Sequence, residues 1–388
     1  MNEKLLKAIR FFTEEKRIMD GMTVAAGEGD RLIQAREGRE ISDRSVYDLA
    51  SVTKLFTGLC LMRLWELGSL DLSARIPRYA PAFDRLGTVT VEQLMAFQVT
   101  LRTPERIDGQ ETRERGLACL RAVEVVQPAG RRFYSDIPAM VLKYVVEGAA
   151  GLPLYDCIRE LILQPADMAE TWARVPVARR QDCLLYGPEY RIEKENWMER
   201  RGMSRGIPHD PKAALLQGDS GDLCGHAGLF STEGDMIRFC RAVLSGVLLR
   251  RETLAALAVN RTGREYPDGS HSQYLGYLCY VKHPDQYYSE IPATMSHAAF
   301  GIAGFTGNHV SIDPIQRRFT LFLGNRVRDR LTVLIPEEGK TRQDYGLHPD
   351  GSGVIRWLDG RLLPSSVDYV HQKDRVIHRT IDSILWMG

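Results

Sequence analysis

A polar Ser51-x-x-Lys54 step stands at the head of an apolar run, and this junction constrains the fold more than any other stretch of the chain. Leu55, Phe56, Leu59, Cys60, Leu61, Met62, Leu64, Trp65 and Leu67 follow it, and their density predicts a buried helix ending near Gly68. Residues three apart share a helix face, so Ser51 and Lys54 can touch. A serine hydroxyl is a weak nucleophile until a neighbour takes its proton, and a partly desolvated lysine can have its pKa lowered enough to do so. The free N–H groups at a helix start also suit a developing oxyanion. A plainer reading competes: Ser51 caps the helix and Lys54 is solvated in its first turn. A bare Ser-x-x-Lys is expected about once by chance at this length, so the rest of the chain has to decide.

With 388 residues, 44% of them hydrophobic, the chain can bury a large core as one big domain or two interleaved lobes. Lys plus Arg number 51 against 50 for Asp plus Glu, without long charged blocks. That balance disfavours nucleic acid and anionic membrane as partners and favours a small ligand. The N-terminal stretch breaks its apolar residues with charge every few positions, unlike a secretory signal, and reads as an amphipathic helix. No run approaches the roughly 20 apolar residues of a spanning helix, so a soluble, cytoplasmic protein is expected. Seven scattered cysteines without a C-x-x-C pair fit neither structural zinc nor a disulfide framework. Cys60 and Cys240 read as small core residues.

Taken in order, Met22 to Ala26 and Arg31 to Ala35 predict two strands around a Gly-rich turn. Thr90 to Gln93 has capping-box spacing ahead of a short helix. Residues 102 to 116 lack periodicity and read as surface loop. Pro128 to Pro138 reads as a loop running into a helix over Ala139 to Ala149, with Tyr134 just before it, and a further helix follows from about Leu154 to Leu163. Residues 176 to 224, rich in Arg, Gly, Pro and Asp, read as long loop. A Gly-rich turn from Gly225 leads to a Thr232 to Asp235 capping box and a helix over Met236 to Leu244. Leu275 to Val281, Gly307 to Asp313 and Arg318 to Leu323 predict strands, and Asp359-Gly360 predicts a hairpin turn. Val376, Ile377, Ile381, Ile384 and Leu385 mark one face of a C-terminal helix. The expected fold is α+β: N-terminal strands completed by C-terminal strands into one antiparallel sheet flanked by helices, with a helical lobe inserted. The parts are residues 1–70 with 270–388, and residues 71–269, with a site at the seam.

Serine, lysine and a tyrosine entering a helix are polar groups that acyl transfer needs. Together the motifs resemble the β-lactamase-related serine hydrolases, in the branch of class C β-lactamases and penicillin-binding-protein-like esterases. The resemblance is carried by Tyr47 to Gly58, by Gly68 to Leu72, by Phe133-Tyr134-Ser135-Asp136, by Gly225 to Thr232, and by Gly304 to Gly307 followed by Ile312-Asp313-Pro314. It implies a β-lactamase/transpeptidase-like fold and a metal-free, cofactor-free serine hydrolase. Ser51 would be acylated, Lys54 would accept the proton, and Tyr134 would share it and pass it to the leaving group. The backbone N–H groups of Ser51 and Phe305 would form the oxyanion hole, with Asp136, Ile302, Ala303 and Gly304 at the substrate. A phenol of pKa about 10 needs a nearby positive charge to act as a base, so Lys54 and Tyr134 should titrate as a coupled pair.

One departure bears on specificity. Where the family usually carries Lys-Thr-Gly or His-Thr-Gly, this chain has Ile302-Ala303-Gly304, which removes the basic group and the hydroxyl that would grip a carboxylate. A small ester is therefore the expected substrate, ahead of an amide. The alternatives are a β-lactamase or D,D-peptidase, an acyltransferase to a small-molecule acceptor, and a binding protein acylated without turnover. Phe97 to Thr100 stands where relatives often have His-Thr-Ser-Gly, and residues 330 to 370 match nothing in the family pattern. In that stretch the Trp357 hairpin could line the pocket or cover an edge. His226 in its Gly-His-Ala-Gly turn reads as structural, and His297 and His309 are weaker candidates still.

Overall fold

The computed structural model describes residues 2–127, 133–200, 202 and 204–386. Its main elements are, in chain order, α1 (Asn2–Arg10), β1 (Gly21–Glu28), β2 (Arg31–Gly38), α2 (Thr53–Glu66), α3 (Ile137–Ala150), β3 (Glu189–Glu193), β4 (Asn196–Arg200) and α4 (Glu233–Ser245). Then come β5 (Tyr280–Val281), β6 (Phe300–Gly304), β7 (Asn308–Asp313), β8 (Arg318–Gly324) and β9 (Arg330–Ile335). Shorter helices and turns connect them.

The β1–β2 hairpin is built into the C-terminal strands. Val24 pairs with Ala35 on one side and with Phe322 of β8 on the other. The resulting six-stranded sheet has the order β2-β1-β8-β7-β6-β5, antiparallel throughout. Successive strand side chains face opposite ways, and β1 uses both faces. Val24 and Ala26 join Leu5, Ile9, Ile377 and Ile381 under the terminal helices. Ala25 instead faces the main core with Leu321, Ile302 and the residues of α2. The α+β architecture expected from the order of elements is therefore present.

Helix α2 is buried continuously from Thr53 to Met62. It packs on α3, and Phe56 stacks on Phe239 of α4 with ring centroids 4.5 Å apart. Each large apolar side chain fully buried here contributes about 1.5–3 kcal/mol. Cys60 and Cys240 are core residues, both 0% exposed. Among the described residues, no single helix is long and apolar enough to cross a membrane.

Three expectations need correction. The stretch 176–224 is not one long loop: β3 and β4 pair antiparallel within it, and β9 joins β3 in parallel, making a second, three-stranded sheet. Tyr190 and Ile192 bury one face of β3 while Glu189 and Arg191 project from the other, an alternation too short to stand out beside so many charges. Trp357 packs on Tyr190 and Trp197 with centroids 4.8 and 5.1 Å apart, so its hairpin covers this sheet and does not line the cleft. Within 102–116 a helix, Arg113–Arg121, begins after Thr112, whose hydroxyl accepts the Arg115 N–H. Finally, Leu275 to Val281 is strand only at Tyr280–Val281. Pro128 to Arg132 of the loop before Tyr134 lie outside the described residues.

Candidate active site

Ser51 sits in a short turn of 3-10 helix, Ala50–Val52, that feeds α2. Ala50 is held at φ +46°, a left-handed conformation that costs a non-glycine residue about 1–3 kcal/mol and persists only where neighbours enforce it. Asp48 is the enforcing residue. Its carboxylate accepts the Ala50 N–H at 2.9 Å and the His209 N–H at 2.7 Å. Its carbonyl accepts the Thr306 hydroxyl at 2.8 Å and the Asn308 amide at 2.6 Å. Thr306 lies in the β6–β7 turn and Asn308 opens β7, so the Ser51 turn is tied to that strand edge. Gly304 makes the approach possible: a Cβ there would lie 2.6 Å from the Leu49 carbonyl oxygen.

The polar side of α2 also holds the Gly-rich segment. The Thr57 hydroxyl donates to the Gly225 carbonyl at 2.7 Å, and Thr53 accepts the Leu229 N–H at 3.2 Å. Between them Lys54, fully buried, donates to the His226 carbonyl at 3.2 Å, to Ser51 Oγ at 3.0 Å and to Asp136 Oδ1 at 2.8 Å. The Tyr134 ring stands beside the same amine, its centroid 4.9 Å from Lys54 Nζ. Serine, lysine and tyrosine, from distant parts of the chain, thus meet. Gln273 positions the tyrosine by accepting the N–H groups of Phe133 and Tyr134, each at 2.9 Å. Its ring lies between Phe97 and Tyr280, with centroids 5.5 and 5.3 Å away.

The electrostatics differ from expectation in one respect. Burial pushes the Lys54 ammonium down, but Asp136 and Tyr134 together outweigh it and hold it above the ordinary lysine value. Lys54 at rest is therefore charged, not a lowered-pKa base. Burial also raises Tyr134; the Lys54 charge pulls it down, Asp136 pushes it up, and the phenol ends above its ordinary value. Burial opposes the Asp136 carboxylate, yet Lys54, His226 and Lys212 hold it well below the usual carboxylate range.

Asp136 is shared. Its second oxygen lies 3.1 Å from Lys212 Nζ, which lies 3.4 Å from Asp210, and Asp210 in turn bonds to His226 Nε2 at 2.9 Å. Asp136, Asp210 and His226 bring atoms of metal-ligand type within 4.8 Å of one another. Both carboxylates already hold lysines, so the set is an alternating ion-pair network. Lys212 and Asp210 are functional neighbours that the sequence reading missed, although Asp210-Pro211 is a helix-start signature: the Asp210 side chain accepts the Ala213 N–H at 2.9 Å. Gln273 carries no such signal.

A cleft of about 530 Å³ opens here, lined by Ser51, Tyr134, Asp136, Ala303, Gly304 and Phe305 among others. Two of the expected substrate contacts change. Ile302 is fully buried in the main core, because side chains alternate along β6 and only Ala303 turns to the cleft. Asp136 lines the cleft with its carboxylate engaged by two lysines. Among the histidines, His226 holds Asp210 and Lys54, His297 is exposed, and His309 is buried beside Ser311 at 2.7 Å. Burial and the Lys373 charge push His309 down to about 3.

The fold is of the β-lactamase/transpeptidase type. Residues 10–335 match the Beta-lactamase family, and the chain belongs to it. Over 358 residues it is 24% identical to a "Putative D-alanyl-D-alanine carboxypeptidase" of Salmonella schwarzengrund (strain CVM19633), covering 83% of this chain and 78% of that protein. Among solved structures it is similar to EstCE1, a hydrolase with promiscuous acyltransferase activity, at 18% identity and TM-score 0.64, covering 83% of this chain and 93% of that one. It is also similar to a class C β-lactamase, at 15% identity and TM-score 0.61, covering 84% and 92%.

Proposed function

We propose that this protein is a serine hydrolase that acylates Ser51 and hydrolyses a small ester or, less readily, an amide. In this reading the cleft is the seam between a sheet-bearing part, residues 1–70 and 270–388, and a mainly helical part, residues 71–269. The observation that carries the proposal is the contact of Lys54 Nζ with Ser51 Oγ at 3.0 Å, with the Tyr134 ring centroid 4.9 Å from the same amine.

The reactive form has one proton fewer across the Tyr134–Lys54 pair, whichever of the two has lost it. As Ser51 Oγ bonds to the substrate carbonyl carbon, its proton passes to that pair. The Ser51 and Phe305 N–H groups receive the developing oxyanion. The tetrahedral adduct collapses by breaking the bond to the leaving alkoxide, which takes the proton back from Tyr134. Water then repeats the sequence on the acyl-enzyme and restores Ser51.

The test is intact mass after incubation with p-nitrophenyl esters and with a β-lactam, for the native chain and Ser51→Ala. A single acyl adduct confined to the native chain is expected, together with release of p-nitrophenol. An adduct that survives in Ser51→Ala removes Ser51 from the nucleophile role. Turnover of a penicillin faster than any ester would put the β-lactamase or D,D-peptidase reading first, and product formed only with an added acceptor alcohol would put acyl transfer first.

A further inference from the structure

Arg106, paired with Asp108, lines one part of the cleft. Around Phe305 and Glu189 it is lined by three more guanidinium groups, those of Arg191 on β3, Arg200 on β4 and Arg326. Among the described residues only one carboxylate, Glu189, bonds to any of them, through Arg191 Nε and Arg200 Nη1. Glu189 also accepts from His209 and Thr332, so its lone pairs are fully used. Arg326 donates to two neutral carbonyls, Phe305 at 2.8 Å and Ser366 at 3.0 Å. Glu193, at the end of β3, lines the same wall and bonds to none of the three. Asp108, Asp210 and Glu290 line the cleft too, but among the described residues none of them bonds to Arg191, Arg200 or Arg326, so these three guanidinium groups have a single bonded carboxylate between them.

Arg191 and Arg326 both lie against the Phe305 ring, their Cζ atoms 5.0 and 4.7 Å from its centroid. With its Nε on Glu189, Arg191 has no acceptor for its Nη groups among the described residues. Burial, reinforced by the Arg191 charge, keeps Arg200 and Arg326 below the ordinary guanidinium value although Glu189 pulls the other way. An anion entering this end of the cleft would relieve that crowding. A guanidinium offers an oxyanion two parallel N–H bonds, a geometry an ammonium cannot supply.

We propose that Arg191 and Arg200, with Arg326 behind them, bind an oxyanion, of carboxylate or phosphate type, carried by the part of the substrate that extends past Phe305. The proposal rests on the reading of Ser51 as the acylated residue. It moves the charged anchor from the apolar strand edge to the second sheet, and it makes the substrate an acidic ester.

The experiment compares kcat/KM for three p-nitrophenyl esters: neutral butyrate, the half-ester of glutarate, and the ester of 4-phosphonobutyrate. The native chain should favour at least one acidic ester over butyrate by about tenfold or more, as expected for charge-assisted hydrogen bonds, and the faster of the two tells carboxylate from phosphate. In Arg191→Gln and Arg200→Gln that preference should fall at least tenfold, mainly through KM. Arg191→Lys, which keeps a charge beside Glu189 but loses the fork, controls for folding and should fall by an intermediate amount. A native preference for butyrate, or a preference that survives both glutamine variants, overturns the proposal.

A separate measurement distinguishes this failure from failure of the acylation reading. Titration calorimetry with glutarate and with inorganic phosphate should show binding to the native chain that weakens at least tenfold in the Arg191→Gln/Arg200→Gln double variant. If no ester leaves an adduct on Ser51 but this binding holds, the acylation reading fails and the anion site stands. If neither anion binds, the anion site fails, whatever Ser51 does.

Discussion

Lys54 Nζ lies closer to Asp136 Oδ1, at 2.8 Å, than to Ser51 Oγ, at 3.0 Å. The lysine is thus held as an ammonium by a carboxylate before any substrate arrives. Burial works to lower its pKa, and Asp136 is the largest influence working to raise it. Asp136→Asn removes that influence and leaves burial in command. The rising limb of kcat/KM against pH should then move to lower pH, by about one to three pH units as for a close opposite charge. A limb that stays in place would sink the assignment of Asp136 as the residue that sets the working pH.

Tyr134 separates chemistry from packing. Its ring is held between Phe97 and Tyr280, and its backbone by Gln273. Tyr134→Phe keeps all of these contacts and removes only the hydroxyl near Lys54 and Ser51. Ester turnover should fall by about 10²–10⁴, the usual value of a positioned proton-transfer group, while the melting temperature changes little. Turnover within threefold of native would take Tyr134 out of the proton path.

How far these features were legible depends on the range of the signal. The Ser51-x-x-Lys54 step, the apolar run of α2 and the Thr90 capping box are local patterns, and each appears where the sequence puts it. Likewise the β1–β2 hairpin and the β7–β8 pair carry period-two apolar residues and turn signals of their own. The second sheet was hidden because β3 finds its parallel partner, β9, far along the chain: Tyr190 pairs with Leu331. The turn that joins β3 to β4, Lys194-Glu195, carries no Gly, Asn or Pro to announce it. The Lys54 electrostatics were missed for a related reason. Spacing brings Ser51 to Lys54, but only the fold brings Asp136 up to the same amine, with Lys212 and Asp210 behind it.

Gly304 is where β6 meets the Ser51 turn, and a methyl group there would press on the Leu49 carbonyl from 2.6 Å. Backbone must shift to relieve that contact, at a cost of about 1–3 kcal/mol for an overpacked site. Because Phe305 follows directly, the shift would also pull its N–H away from Ser51. Gly304→Ala should therefore lose about tenfold or more in kcat, since a misplaced oxyanion donor costs transition-state binding, with a smaller change in KM. A variant with native kcat and a lowered melting temperature would show that the glycine serves packing alone.

Glu189 makes the stability of the second sheet depend on acid. Its side chain is fully buried and accepts from Arg191, Arg200, His209 and Thr332. Burial alone would raise its pKa, but His209 and Arg191 outweigh it and hold the carboxyl down to about 2, against 4.5 ordinarily. A depressed carboxylate stabilises the fold at pH values above its unfolded pKa. That contribution, about 3 kcal/mol by linkage, is lost as pH falls from near 4.5 towards 2. Glu189→Gln should lower the melting temperature at neutral pH by leaving two arginines without their carboxylate. It should also flatten the decline in melting temperature between pH 5 and pH 2.5 relative to the native chain. Parallel declines for the two proteins would show that other carboxylates govern acid unfolding and that Glu189 is not the group that ties the arginine wall together.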